Sequence, residues 1–321
     1  MGSAALIGGV FGIALGISFE RSHFCSMGAV ADVVLFGSWR RARAWLAAVA
    51  AAAVLVTVAV AAGVAEPTAA PWQTLTLPAA IAGGLAFGVG MVLAGGCGAR
   101  LVVRAASGQA KALAALVVLL AIAAAVPVGL ANVTGEVPDM ALGTLPSWAT
   151  LPAAAGALLA LAWLLADRKL WAMQVIPTPA LIALAVGAGA TTTAYSGQPG
   201  ALVYVPLGGA AGSTFASAIV VGTAVGAAAS AALAGRWRLQ TLGPSDDVGR
   251  HLVGGSLMGV GAGLVGGGTL GAGVSGIASL ALGPFVALLS MVVGAVVALR
   301  LLSGDGLPSL RRLTRSRRLA R

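Results

Sequence analysis

The chain has 321 residues, 59% of them hydrophobic and only 9% charged. A soluble domain carries about 25% charged residues, so a water-filled cleft enzyme or a soluble binding module is excluded and a polytopic helical membrane protein is expected, as one membrane domain. The net charge of +10 is no nucleic-acid signal, because much of it lies in the tail RRLTRSRRLAR (311–321) and in short loops, where it suits a cytoplasmic face and anionic headgroups.

The start, MGSAALIGGVFGIALGIS, lacks the basic n-region of a signal peptide and is read as mature structure. Apolar runs of about 20 residues then recur, each long enough for about 30 Å of hydrocarbon. The pattern predicts an all-α fold of about nine membrane-crossing units. Four are interrupted by polar or glycine-rich stretches: 4–37 at FERSHFC, 80–108 at GGCGAR, 171–207 at TTTAYSGQPG and 251–280 at GGGTLGAG. Continuous spans are expected over 44–65, 112–131, 149–166, 215–235 and 284–302. If every broken unit crosses, Arg40, Arg41, Arg43, Lys111, Arg168, Lys169, Arg236, Arg238, Arg250 and the tail fall on one side. Glu66, Glu136 and Asp139 fall on the other. The positive-inside rule then predicts an outside N-terminus and a cytoplasmic C-terminus.

An internal repeat appears at a shift of 171 residues. GLAFGVGMVLAGG (84–96) overlays GSLMGVGAGLVGG (255–267) with 7 of 13 positions identical. The same shift pairs Cys25 with Ser196 and Cys97 with Gly268. An odd number of crossings separates equivalent points, so two inverted repeats are expected, with broken helices meeting at mid-membrane. Repeat 1 spans about 1–135, a linking helix 149–166 and repeat 2 about 171–302. Together they make a transport domain over about 1–310, and residues from 303 onward form a basic cytoplasmic tail.

A broken helix in lipid leaves backbone groups that need partners, so the breaks are expected to face a shared cavity. Freed N–H groups at half-helix starts favour an anion. Gly95 and Gly96, and in the other half Gly267 and Gly268, let the backbone turn and approach a ligand, or else serve only close helix packing. Cys25 and Cys97 are expected at the tips of two breaks. A thiol is a weak donor on a polarizable atom, suited to a soft sulfur anion that must also leave; the alternative is inert core packing. Ser196 offers a hydroxyl at a matching place, and Thr269 lies beside Gly268. Glu20 and Arg21 are read as bracing charges. His23 is read as a hydrogen-bonded structural group rather than a proton relay. Arg100 and Arg104 share a helix face one turn apart, either drawing an anion into the cytoplasmic vestibule or snorkelling to headgroups. Two cysteines and two histidines argue against zinc, which takes four ligands. No metal or cofactor is expected.

The stretches FERSHFCSMGAVADVVLFG and GLAFGVGMVLAGGCGARLVVRAASGQAKALAALVVL resemble the two N-terminal signatures of the YeeE/YedE family of sulfur-transport membrane proteins, and GSLMGVGAGLVGGGTLGAGVSGIASL resembles its C-terminal signature. The resemblance implies a prokaryotic inner-membrane permease for thiosulfate or a related small sulfur anion, passed along pore-facing cysteines between inverted halves. It also implies a small cytoplasmic TusA-like sulfur carrier as a partner. Cys25 and Cys97 match the two N-terminal family cysteines. The third family cysteine is Gly268 here, and His23 stands where an arginine is common. Two alternatives stay open. One is transport of another soft species, such as a selenium compound, sulfide or a thiophilic metal. The other is a membrane-embedded sulfurtransferase with a persulfide on Cys97, its thiolate favoured by nearby Arg100.

Overall fold

The computed structural model describes residues 2–61, 75–134, 155–156, 158–159, 163, 214–242, 245–277 and 282–303. Unit 171–207 with Ser196, nearly all of the linking helix 149–166, and residues 304–321 lie outside them. Among the described residues every regular element is helical. The elements are α1 (Gly2–Ser22), α2 (Ser26–Phe36), α3 (Arg40–Ala61), α4 (Leu77–Leu93), α5 (Gly98–Ala106), α6 (Ala110–Thr134), α7 (Thr214–Leu233), α8 (Ser245–Val265), a π-helical turn (Gly271–Gly276) and α9 (Leu282–Leu302). Helices α1 and α2 are halves of one broken unit, α4 and α5 of a second, and α8 and the π-helical turn of a third.

Large apolar side chains line the outer faces of the helices, and small residues bring the helices into contact inside. On α9, Phe285, Leu289, Val293 and Val297 form an exposed row four residues apart, while Ala287, Met291, Ala295 and Ala298 are buried. That is the reverse of a soluble amphipathic helix. It fits a lipid-facing surface, where association depends on close backbone packing at small residues. Gly88 on α4 shows the principle. A Cβ there would strike the Met291 carbonyl and lie 2.9 Å from the Ala295 nitrogen of α9. Gly16 on α1 is held against Thr223 and Ala227 of α7 in the same way. The stretch Leu77–Ala106 and helix Leu282–Leu302 are each long and apolar enough to cross a bilayer.

Elements correspond across the 171-residue shift. α3 maps onto α7, α4 onto α8, α5 onto the π-helical turn and α6 onto α9. Packing follows the correspondence. α4 packs against its counterpart α8. α4 also packs on α9 and α8 on α6; α5 packs on α7 and the π-helical turn on α3.

The helix ends match as well. Gly95 (φ +68°) and Gly266 (φ +76°), 171 positions apart, both adopt the left-handed conformation. The Gly96 N–H donates to the Met91 carbonyl (2.9 Å), and the Gly267 N–H to the Ala262 carbonyl (3.0 Å). These are equivalent six-to-one closures of the Schellman type, in which glycine at the left-handed position satisfies the last helical carbonyls. The GG pairs read as possible packing residues therefore terminate α4 and α8.

Some boundaries differ from the sequence pattern. The unit expected over 251–280 starts at Ser245, because Asp247 near the helix start engages Arg250 and His251 one turn on and suits the positive end of the helix dipole. The span expected over 44–65 starts at Arg40. Arg41 there reaches back across the Gly37 turn to Asp32 on α2 (3.3 Å).

Candidate functional site: three helix breaks around a thiol pair

Each break ends one helix and caps the next. Cys25 is the extended N-cap residue of α2, and Cys97 that of α5. The Cys25 carbonyl accepts from the Ala29 N–H, and the Cys97 carbonyl from the Leu101 N–H, both at 2.9 Å. Neither side chain makes a cap hydrogen bond to its own helix. The two sulfurs meet at 3.8 Å, both side chains buried and both cysteines unbridged.

The third break joins the same cluster. Gly268 stands where Cys97 stands in the first half, and its carbonyl accepts from the Ala272 N–H at 2.8 Å as the Cys97 carbonyl does from Leu101. Having no side chain, it adds nothing to the centre. The next residue, Thr269, does. Its hydroxyl accepts from Ser26 at 2.8 Å, with both residues buried. Cys25, Ser26, Cys97 and Thr269 thus tie three helix breaks together through side chains 72 to 243 positions apart. Two half-helix starts, each with its positive dipole end, converge on this point. Gly95 and Gly96 lie just before it, after the end of α4, and Gly267 and Gly268 after the end of α8.

The charged groups around the breaks, of which Glu20 is buried and Arg100 and Arg104 half-buried, are engaged there. Arg100 donates to the Phe19 carbonyl (3.2 Å) and lies 2.9 Å from His23 Nδ1. It so serves an orphan carbonyl at the end of α1. An arginine cannot accept, so His23 Nδ1 is the acceptor nitrogen. His23 itself turns the chain at φ +52°, a left-handed value that a non-glycine residue adopts at a cost. Arg104 donates to the Gly95 carbonyl (2.9 Å) and, through Nε, to Gln109 Oε1 (2.6 Å). The two arginines share a face of α5, yet each serves the end of a different broken helix. Glu20 is buried, and one of its oxygens accepts from Arg236 Nη2 and Ser230 Oγ, each at 2.9 Å. Arg21 donates to the same Ser230 hydroxyl at 3.3 Å.

Ser26, Arg236 and Ser230 were not singled out from the sequence. Ser26 carried a usable signal, since it directly follows Cys25 in the break. Arg236 looked like one more loop cation; its pairing with Glu20 spans 216 positions and has no local signature. Among the described residues no three His, Cys, Asp or Glu side chains are grouped to hold a metal ion.

Comparisons with known proteins bear on the family. The profile of the sulphur transport family matches residues 21–179 and again residues 146–297. A protein of Salmonella typhimurium strain LT2, described as a probable transporter YedE, is 36% identical over 100 residues, covering 31% of this chain and 24% of the relative. Its Escherichia coli K12 namesake is 37% identical over 100 residues with the same coverage. The alignment thus spans about a quarter of the length of these relatives. With the family profile covering most of the sequence in two copies, and the described elements all helical, this chain belongs to the YeeE/YedE sulphur transport family of membrane proteins.

Proposed function

We propose that the chain is a permease for thiosulfate or a closely related small sulfur anion. The observation that carries this reading is the meeting of Cys25, Cys97, Ser26 and Thr269 at the tips of three helix breaks. Breaking helices inside a membrane is costly unless the freed groups are satisfied or serve a passage. Weak donors at a constriction let an anion shed water without being trapped. A thiol offers a weak hydrogen and a polarizable sulfur to a terminal sulfur atom. Passage requires the two thiols and the Ser26–Thr269 pair to part, each contact being exchanged for one to the ion.

In this reading Thr269 serves where the family's third cysteine is replaced by Gly268, and Ser196, in the unit expected over 171–207, offers a further hydroxyl. The element correspondence and its exchanged packing support two inverted repeats within about nine crossings. The basic loops support a cytoplasmic C-terminus in a prokaryotic inner membrane. A TusA-like carrier would receive the sulfur on the cytoplasmic side.

The test is labelled thiosulfate uptake in cells lacking their own sulfate and thiosulfate importers. The native chain is expected to support uptake and Cys97→Ala to abolish it. Uptake only by Gly268→Cys would mean that the missing thiol matters and that the natural substrate is another soft solute. Silence from all three, with the protein present in the membrane, would sink the thiosulfate assignment. A persulfide trapped on Cys97, without uptake, would favour a sulfurtransferase.

A further inference from the structure

Cys25 and Cys97 are the chain's two cysteines. Both are unbridged, and their sulfurs lie 3.8 Å apart. A disulfide needs about 2.05 Å between its sulfurs, so the pair stands near contact distance and a short approach joins it. The two residues belong to different breaks, each in the extended N-cap position before a half-helix, and neither thiol makes a cap hydrogen bond that turning would break. Solvent is near. Cys25 keeps 9% of its surface exposed, and His23, two residues earlier, is exposed.

We propose that this pair is a reversible oxidation site, at which a small hydroperoxide joins Cys25 to Cys97 by a disulfide that clamps the helix breaks together. With hydrogen peroxide the steps balance. One thiol, as its thiolate, attacks a peroxide oxygen; the O–O bond breaks, a sulfenic acid forms, and the leaving hydroxide takes up the thiol's proton as water. The second thiol then attacks the sulfenic sulfur; the S–S bond forms, the S–O bond breaks, and a second water leaves. Each sulfur gives up one electron, and the two peroxide oxygens are reduced. The negative charge of the attack lies at the positive end of a half-helix dipole, α2 or α5.

The bond closes the passage. An ion can pass only if the two thiols part, and a covalent link forbids that; this consequence rests on the permease reading, whereas the bond itself does not. Ser26, next in the chain to Cys25, is hydrogen-bonded to Thr269 at 2.8 Å, so the third break is tied to the same clamp. The oxidised state has a single form. Gly268, the counterpart of Cys97 at the 171-residue shift, brings no thiol, and the chain has no third cysteine. No group of the chain can therefore exchange with the disulfide, and an outside dithiol must reopen it through a mixed disulfide. The peroxide is neutral and close to water in size, so its approach needs no ion-sized opening.

The test treats the full chain in proteoliposomes with hydrogen peroxide. It reads peptide masses, the unfolding midpoint by tryptophan fluorescence, and uptake of labelled thiosulfate. A cross-linked peptide pair holding Cys25 and Cys97, short of two hydrogens, is expected. The midpoint should rise by several degrees, because the link constrains the unfolded chain, and uptake should fall to the level of empty vesicles. Dithiothreitol should release the cross-link and restore uptake. Cys25→Ser should show neither cross-link nor midpoint rise; a rise in that variant overturns the clamp. No cross-link in the folded chain, at a dose that oxidises the same thiols in detergent-unfolded chain, overturns the site. A disulfide between copies, or sulfur oxyacids that dithiothreitol leaves in place, overturns it too. Uptake that persists in the cross-linked chain, or a midpoint unmoved by the link, overturns the clamp. Normal uptake by the reduced chain without any cross-link rejects the oxidation site and leaves the permease standing. A chain that cross-links and stiffens, but takes up no thiosulfate when reduced, upholds the oxidation site and rejects the permease reading.

Discussion

Replacing Arg236 with methionine strands the Glu20 carboxylate. Its side chain is 8% exposed and, among the described residues, would keep the Ser230 hydroxyl as its direct partner. Removing one member of a fully buried ion pair costs about 3–5 kcal/mol. Arg236 is 51% exposed, so water screens part of the interaction, and a loss of about 1–3 kcal/mol is expected. The assay follows from the thiols. Cys25 and Cys97, the chain's two cysteines, are buried, so a thiol-reactive fluorogenic dye reports unfolding of the site itself in detergent. Arg236→Met should lower the midpoint by several degrees. The double variant Glu20→Gln/Arg236→Met should recover much of that loss, because an amide carries no stranded charge. A coupling of about 1 kcal/mol or more in the cycle is expected for groups in direct contact. An Arg236→Met midpoint equal to that of the native chain, or a double variant no better than the single, would refute the bracing role of this pair.

Gly88→Ala should destabilise by about 1–3 kcal/mol, since its methyl group would lie 2.9 Å from the Ala295 nitrogen and force α4 and α9 apart; an unchanged dye midpoint would contradict the packing. Thr269→Val leaves the buried Ser26 hydroxyl without its partner and should cost about 1–3 kcal/mol, with Ser26→Ala restoring part of it in the double variant; equal midpoints for both variants would deny the link between the first and third breaks. The hydrogen bond from Lys111 holds the Asp247 carboxyl below its usual range. Its stabilisation is therefore present above the unfolded carboxylate value of about 3.9 and fades as pH falls through the lower folded value. Tryptophan-monitored unfolding should show Asp247→Asn less stable than the native chain at pH 6, with the gap closing below about pH 4; a gap independent of pH would refute the assignment.

Much of the site was legible because broken helices write themselves locally. Glycine pairs at 95–96 and 266–267 end their helices through bonds within six residues, so the 171-residue echo in the sequence becomes an echo in the fold. The thiols follow the same logic: Cys25 and Cys97 sit at the first capped position after each break, where a side chain turns away from its own helix. The four-residue spacing of Arg100 and Arg104 likewise fixed their common face.

The sequence alone determined that the chain lives in lipid, where it breaks and which elements repeat, because hydropathy, glycine and period act over a few residues. Only the tertiary structure decided which break meets which. The two sulfurs are 72 positions apart, Ser26 and Thr269 243. The same holds for Arg100 serving α1 while Arg104 serves α4 and for Glu20 choosing Arg236. The physical reason is that a buried polar group must find a partner wherever packing brings one, and packing between distant small-residue faces leaves no mark in the local pattern.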